Sequence, residues 1–265
     1  NLETANWTVK AADFDEMHAA LVVQWMWADA ALVNCGLARA AARWDPTGTR
    51  WKSGSPDEVA ATLRGMSLDE KLVHLRDTEF RKQLMSETCP TKKLAGRVSN
   101  YERIFPWDGE TPDYEPPADQ SIAARAKREG RDPEELVYDT LLEKNGKRIL
   151  YRPLSNYAYG DLNTVGEMMK HPDTLVSLGD GGAHVGVLCD ASSMAYMLTH
   201  WTRDRTRGDK VELSWAIKRI TNDNAQAIGL NDRGQLKPGF KADINVIDYD
   251  RLALGYPQVA YDLPS

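Results

Sequence analysis

From residue 119 onward, short apolar runs alternate with segments whose apolar residues recur at helical spacing. Residues 121–130 and 132–146 predict two helices, the second with Asp132 as N-cap and Pro133 at its first position. Residues 148–154 then predict a strand, 161–170 a helix capped by Asp161, and 174–180 another strand. This alternation predicts an α/β fold with parallel strands joined by helices, in an open sheet or a closed barrel.

The second of these strands runs directly into a polar turn that contains three glycines, Gly179, Gly181 and Gly182, together with Asp180. In parallel α/β folds the loops after the carboxyl ends of strands carry chemistry, so Asp180 is a candidate catalytic acid. The alternative is an Asx-turn, in which the carboxylate bonds only to nearby backbone amides.

Polar residues also follow the first strand, and we expect them to share a rim with Asp180 and His184. They are Ser155, Asn156, Tyr157 and Tyr159.

The remaining segments predict further elements. Asp190 is expected to cap a helix with the apolar stripe Met194, Met197, Leu198 and Trp201, and residues 212–228 predict another helix. Lys237-Pro238-Gly239-Phe240 has type II turn chemistry, followed by a short strand over 242–247.

Serine-to-glutamate capping boxes start two helices, at about 56–65 and 68–86. Residues 100–120 are either a lid or a surface loop held by its aromatic residues.

Composition excludes several classes of protein. A net charge of −6 with mixed acidic and basic residues gives no face suited to nucleic acid or an anionic membrane. The most apolar segment, 19–33, is too short to cross a bilayer and predicts part of a packed helix over about 13–33. Three widely spaced cysteines, Cys35, Cys89 and Cys189, and the lack of a signal-peptide pattern favour a cytoplasmic protein.

Three motifs resemble a known family. The tail pattern over Gly234–Asp248, G-x-L-x-P-G-x-x-A-D-x-x-V-x-D, resembles the return of an amidohydrolase-superfamily barrel into its accessory β-sandwich. YERIFPWDGETPDYEP and LGDGGAHVGVLCDAS are similar to the N-acyl-D-amino-acid deacylase (D-aminoacylase) branch. The resemblance covers about residues 66–265. It implies the C-terminal part of a (β/α)8 TIM-type barrel over 66–228 and a partial β-sandwich over 229–265, after a helical segment of uncertain assignment over 1–65.

The resemblance also implies roles for residues. Asp180 matches the acid that follows the family's last barrel strand, approaches a zinc ion and takes a proton from the attacking water. A bound zinc lowers the pKa of its water to about 7, and a carboxylate of ordinary pKa stays ionised to accept that proton. His184, Asn156 and Tyr157 are then candidate substrate contacts. The substrate would be an N-acyl amino acid or a related amide.

The chain departs from the family in its histidines. None of the five, His18, His74, His171, His184 and His200, forms the His-x-His pair that supplies metal ligands in the family. A zinc site needs three or four protein ligands, and Asp180 is one. The chain therefore resembles a C-terminal half whose remaining ligands come from an N-terminal half or a second chain.

Three hypotheses follow. The chain is part of a metal-dependent N-acyl-D-amino-acid deacylase, a non-catalytic half barrel that pairs with another chain, or a metal-free hydrolase that uses Asp180 and His184 as an acid–base pair.

Overall fold

The computed structural model describes residues 21–22, 31–32, 66–86, 100–107, 111–146, 148–153, 155–177 and 192–256 of the 265-residue chain. The described strands are β1 Leu21–Val22, β2 Ala31–Leu32, β3 Phe105–Pro106, β4 Leu150–Arg152 and β5 Thr174–Leu175. The described α-helices are α1 Leu68–Arg76, α2 Thr78–Ser86, α3 Ile122–Glu129, α4 Pro133–Gly146, α5 Asn163–Lys170, α6 Ser193–Thr199, α7 Leu213–Lys218 and α8 Asn224–Ala227.

These elements belong to two compact units. The described part of the first, which we call the β5 unit, comprises residues 21–22, 163–177 and 193–252. The described part of the second, the aromatic unit, comprises residues 31–32, 66–86, 100–107, 111–146, 148–153, 155–162, 192 and 253–256.

Capping side chains start the helices of the aromatic unit where the sequence predicts. Ser67 and Glu70 form the expected capping box at α1. At α4, the Asp132 carboxylate accepts hydrogen bonds from the backbone N–H groups of Glu134 and Glu135, at 2.8 and 3.1 Å. The predicted helix over 121–130 is also confirmed, since Ser121 caps α3 and Gly130 ends it with a left-handed φ of 64°.

The predicted single helix over 68–86 is wrong, because it breaks at Asp77. The backbone of Asp77 is extended (φ −70°, ψ 134°), and its carboxylate accepts a hydrogen bond from the Phe80 N–H at 2.8 Å. An aspartate offers this local alternative to helical hydrogen bonding, so it ends α1 and caps α2. Similarly, α4 leaves helical geometry at Glu143, slightly before the predicted end at Asn145–Gly146.

The helix predicted over about 13–33 is also wrong where it can be checked. Residues 21–22 are extended and pair in parallel with β5, and residues 31–32 pair antiparallel with β4. Both pairs are apolar or β-branched residues, and short apolar runs of this kind do not distinguish a buried helix from a buried strand.

The three-stranded sheet of the aromatic unit, in the order β2-β4-β3, is antiparallel. The strand predicted over 148–154 exists as β4. The prediction that its neighbours are parallel strands is wrong, because β4 pairs antiparallel with β2 and with β3, which belongs to the excursion over 100–120. Helices α3 and α4 pack a buried cluster that includes β4. Its members are Ile104, Ile122, Ala126, Leu136, Val137, Leu141 and Leu150.

The excursion over 100–120 is held by its aromatic residues. The Trp107 ring stacks on Tyr151 at 5.1 Å between centroids, and its indole N–H donates to the Asp113 carbonyl at 2.9 Å. The Tyr151 hydroxyl in turn donates to the Tyr114 carbonyl at 3.0 Å. Buried Glu115 accepts a hydrogen bond from the Leu162 N–H at 2.9 Å. The described part of the excursion is therefore packed onto its own unit.

In the β5 unit, α5 lies before β5 and the predicted apolar stripe lies on α6 and the turn that follows. Met197, Leu198 and Trp201 are buried, as expected. The predicted strand over 174–180 is confirmed for Thr174–Leu175, and its pairing with β1 is parallel. Helix α5 begins at Asn163, two residues after the predicted cap Asp161. The predicted cap Asp190 lies outside the described residues.

Two segments of this unit form wider π-helical turns, at His200–Asp204 and Arg219–Asp223. The predicted helix over 212–228 therefore consists of α7, a π-turn and α8. The extra residue per turn shifts the helical register. Within α7, before the π-turn, Ala216 is buried and Ile217 is 42% exposed.

The tail forms the predicted turn but not the predicted strand. Gly239 has a φ of 85°, and the Phe240 N–H donates to the Lys237 carbonyl at 3.0 Å, as in a type II turn. Residues 242–247 have no strand partner among the described residues, and Val246 is 98% exposed. A strand needs a neighbour to satisfy its backbone, so the pattern alone does not produce one.

None of the helices in the described ranges has the combination of length and apolar character that a bilayer crossing requires.

Candidate functional site

Strand β5 is the part of the described structure that leads to the predicted catalytic acid. Thr174 and Val176 are buried, and the chain continues from there to Asp180. Asp180 and His184 themselves lie outside the described residues. The described residues that come just before them in the chain are those in and just after β5, so the hydrogen bonds that hold β5 are the contacts that bear on them.

A buried arginine anchors the start of β5. The Arg219 guanidinium donates hydrogen bonds to the carbonyls of Met169 at 2.9 Å and His171 at 3.0 Å, and also to the carbonyl of Thr174. One side chain therefore holds the end of α5, the turn after it and the first residue of β5. Arg219 also lies over the Trp215 ring, 5.5 Å from its centroid.

Asp223 supplies the counter-charge. Its carboxylate contacts Arg219 at 3.2 Å and Lys218 at 2.5 Å, and it is 13% exposed. Burial raises the pKa of Asp223, but hydrogen bonds from Lys218 and Arg219 outweigh burial and hold that pKa below its ordinary value. Asp223 is therefore ionised at neutral pH.

Asn224 anchors β5 at its other end. Its side-chain amide donates to the Val176 carbonyl at 2.9 Å. The Asn224 amide oxygen is buried and has no hydrogen-bond partner among the residues that the structure describes. Val176 lies four residues before Asp180 in the sequence, so this bond holds the last described part of the path to that acid.

The candidate substrate contacts Asn156 and Tyr157 lie together in a 3-10 turn, Ser155–Tyr157, just after β4. Tyr157 is buried, its hydroxyl donates to the Pro116 carbonyl, and its backbone carbonyl accepts from Arg103 at 2.8 Å. Asn156 is partly exposed, and nearby Tyr159 is 80% exposed. The structure thus brings Asn156 and Tyr157 together in a turn held by the excursion over 100–120.

The described residues do not form a metal centre, since no group of three His, Cys, Asp or Glu side chains converges among them. Each described histidine has other surroundings. His74 lies near Phe80, the His171 ring nitrogen accepts from the Asp173 N–H at 3.3 Å, and His200 stacks on Tyr196 at 4.5 Å. His18 and all three cysteines lie outside the described residues, as do Asp180 and His184.

A cavity of about 440 Å³ lies in the β5 unit, between α5 and the segment after α6. Arg205 lies over the Trp201 ring at 4.6 Å and donates to the Asn163 amide oxygen at 2.8 Å. The charged residues of the lining are Lys170, Arg205, Glu167 and Asp209. Two cations and two anions give no strong preference for a charged ligand.

Sequence reasoning missed Arg219 and Asn224. The signal available for Arg219 was its position three residues after Ala216, on the face of the predicted helix that should be buried. A buried arginine requires acceptors, which here are backbone carbonyls and Asp223. Nothing in the sequence separated Asn224 from an ordinary solvated amide.

Comparison with known proteins gives one match. Residues 100–265 match the family model described as the amidohydrolase family, and this segment includes β4, β5 and Asp180. No curated protein and no solved structure matches the chain. The matched segment covers more than half of the 265 residues, and the chain therefore belongs to the amidohydrolase family.

Proposed function

We propose that this hydrolase cleaves the amide bond of N-acyl amino acids, preferentially of the D configuration, in a metal-dependent reaction. The observation that carries the proposal is the amidohydrolase match over residues 100–265, together with an acid, Asp180, that follows β5 among glycines in the sequence. The deacylase-like motifs over 101–116 and 178–192 favour this substrate class. We place the protein in the cytoplasm because its three cysteines suit a reducing compartment.

The proposed chemistry assigns the proton transfers to Asp180. A water oxygen attacks the amide carbonyl carbon while the Asp180 carboxylate accepts the water proton. The carboxyl then gives that proton to the amide nitrogen as the C–N bond breaks. The products are a carboxylic acid and a free amino acid, and Asp180 returns to its ionised form.

His184 and Asn156 are proposed to contact the substrate. Tyr157 has a narrower proposed part, because its hydroxyl already donates to the Pro116 carbonyl. We propose that Tyr157 holds the turn that presents Asn156, and that its contribution to substrate binding comes through that turn.

The family implies a zinc ion, which when bound would activate the attacking water. The described residues do not fit such a site by themselves, because they contain no convergent group of ligands. Among this chain's residues we propose Asp180 as a ligand. The others would come from outside the described residues, in an N-terminal half or a second chain.

Hydrolysis of N-acetyl-D-amino acids by the purified chain, together with the polypeptide that supplies the remaining metal ligands, tests the proposal, with the L enantiomers as controls. The protein is assayed as purified, after chelation, and after zinc is restored, while bound metal is measured by elemental analysis. We expect zinc-dependent release of free amino acid, larger for the D series. Activity that survives complete metal removal would support the acid–base pair of Asp180 and His184 instead. Absence of both activity and bound metal would contradict the proposal and favour the non-catalytic module.

A further inference from the structure

Two side chains donate hydrogen bonds to backbone carbonyls at the two ends of β5. The Arg219 guanidinium donates to the Thr174 carbonyl. The Asn224 side-chain amide donates to the Val176 carbonyl at 2.9 Å. Thr174 is the first residue of β5 and Val176 directly follows its last residue, so the two donors hold β5 at both ends. The strand itself is only two residues long. These side chains therefore provide a large part of its anchoring.

We propose that Arg219 and Asn224 are positioning residues for the reaction, because they hold Thr174 and Val176, which precede Asp180 by six and four residues in the sequence. The inference rests on the proposed function for the identity of the acid. The anchoring itself rests only on the observed hydrogen bonds and can be tested separately.

The π-turn explains how one helical segment can supply both donors. Arg219 and Asn224 are five residues apart, and the turn between them follows the i to i+5 pattern of a π-helix. In a regular α-helix, residues five apart point in clearly different directions. The wider turn brings them closer to the same face, and π-turns often occur at functional sites for this kind of reason.

Asp223 and Trp215 make the arrangement rigid. The Asp223 carboxylate contacts the Arg219 Nη1 at 3.2 Å, and the guanidinium lies over the Trp215 ring. Because the guanidinium also donates to three backbone carbonyls, rotation of the side chain would break several hydrogen bonds together. A side chain held in this way can fix the position of a strand.

Three variants test the inference. Asn224→Leu removes the amide donor with little change in size, and Arg219→Lys keeps the charge but not the branched set of donors. Gln235→Leu is the matched control, since it removes an exposed amide of the same unit whose described acceptor is the Asn222 side chain, at 2.8 Å. Should Asn224→Leu fail to fold, as judged by circular dichroism, Asn224→Ala removes the same donor by truncating the side chain.

Two measurements are made on each variant. For Asn224→Leu and Arg219→Lys we expect kcat to fall about 10-fold to 100-fold with KM within about twofold, as for a misplaced catalytic group. Amide hydrogen exchange in the peptide over 172–182 should become faster in the same variants. Gln235→Leu should change neither quantity.

The outcomes separate the inference from the proposed function. Faster exchange with unchanged kcat would overturn the positioning role, and unchanged exchange in both variants would overturn the anchoring itself. If the wild-type chain hydrolyses no N-acyl amino acid, the proposed function fails. In that case amide hydrogen exchange in the peptide over 172–182 still tests whether Arg219 and Asn224 anchor β5. Faster exchange in their variants supports the anchoring, and unchanged exchange contradicts it.

Discussion

At the scale of single residues, the charge balance around Arg219 determines how the β5 unit responds to pH. Asp223 has a pKa below its ordinary value in the folded chain because hydrogen bonds from Lys218 and Arg219 outweigh the effect of burial. A lowered carboxyl pKa contributes stability that is present above the unfolded pKa and is lost as the pH falls through the folded pKa.

Replacement of Asp223 tests this balance. Asp223→Asn should lower the free energy of unfolding by about 2 kcal/mol at pH 7, because it removes charged hydrogen bonds and leaves the buried Arg219 without its carboxylate. In urea unfolding, the difference from wild type should shrink as the pH falls from the unfolded carboxyl pKa of about 4 toward the lower pKa of folded Asp223, below which the wild-type carboxylate is protonated as well.

Asp232→Asn is the matched control for that measurement. Asp232 also has a lowered pKa, through its hydrogen bond from Arg233, but the carboxylate is exposed to solvent. Its replacement should change stability much less at either pH. Equal effects of the two substitutions would contradict the importance that we give to burial at Asp223.

Some residues of the candidate site were predictable and others were not. Asp180 and Asn156 could be proposed from the sequence because each follows a predicted strand, where the loops of α/β folds carry chemistry, and their roles stay predictions. Arg219 and Asn224 do not, because their importance depends on which carbonyls a distant part of the chain places beside them. The partners of Arg219 lie about 45 to 50 residues earlier in the chain.

At the scale of elements, helix starts were predicted better than strands. Ser67, Ser121 and Asp132 act within three residues of their own positions, so the sequence contains nearly all the information that those caps require. The strands are two or three residues long and depend on partners far away in the sequence. This dependence is why residues 21–22 and 31–32 were assigned to a helix and residues 242–247 to a strand.

The helix end at Gly130 provides a test at this scale. Gly130 has a φ of 64°, and an added Cβ there would meet no atom within 4 Å. Gly130→Ala should therefore lower the free energy of unfolding by about 1 kcal/mol through backbone strain alone. Thermal and urea unfolding followed by circular dichroism would measure the change.

Gly255→Ala is the control for backbone conformation. An added Cβ at Gly255 would also meet open space, but the φ of this residue is outside the left-handed region. This substitution should be neutral or slightly stabilising. A loss of stability as large as that of Gly130→Ala would show that conformation at Gly130 is not the cause.

At the scale of the whole molecule, family membership and the observed elements agree in part. The amidohydrolase family implies a fold of the TIM-barrel type. The described residues show helices, one parallel strand pair and one antiparallel sheet, and they do not include a closed barrel. The α/β class and the order of the later elements could be predicted from the sequence. The strand directions in the aromatic unit could not, because they depend on which strands pair, and the paired residues lie far apart in the chain. The predicted domain boundaries at residues 65 and 228 stay predictions.

The apolar tail leads to a prediction about the isolated chain. Leu236, Ile244, Val246 and Ile247 are exposed. Val246→Lys should change the unfolding midpoint little, because surface substitutions usually alter stability by less than about 0.5 kcal/mol. It should raise the temperature at which light scattering first detects aggregation. A large fall in the unfolding midpoint would contradict this expectation, since it would mean that Val246 is buried against another chain in solution.

The most direct measurement of the central claim is the turnover of an N-acetyl-D-amino acid by the wild-type chain and by Asp180→Asn, both supplied with zinc and with the polypeptide that carries the remaining metal ligands. The amide that this substitution introduces cannot accept the proton of the attacking water, so we predict a fall in kcat of about 100-fold or more at similar substrate affinity. Equal turnover by the two proteins would contradict the account, because the acid after β5 would then have no part in the reaction.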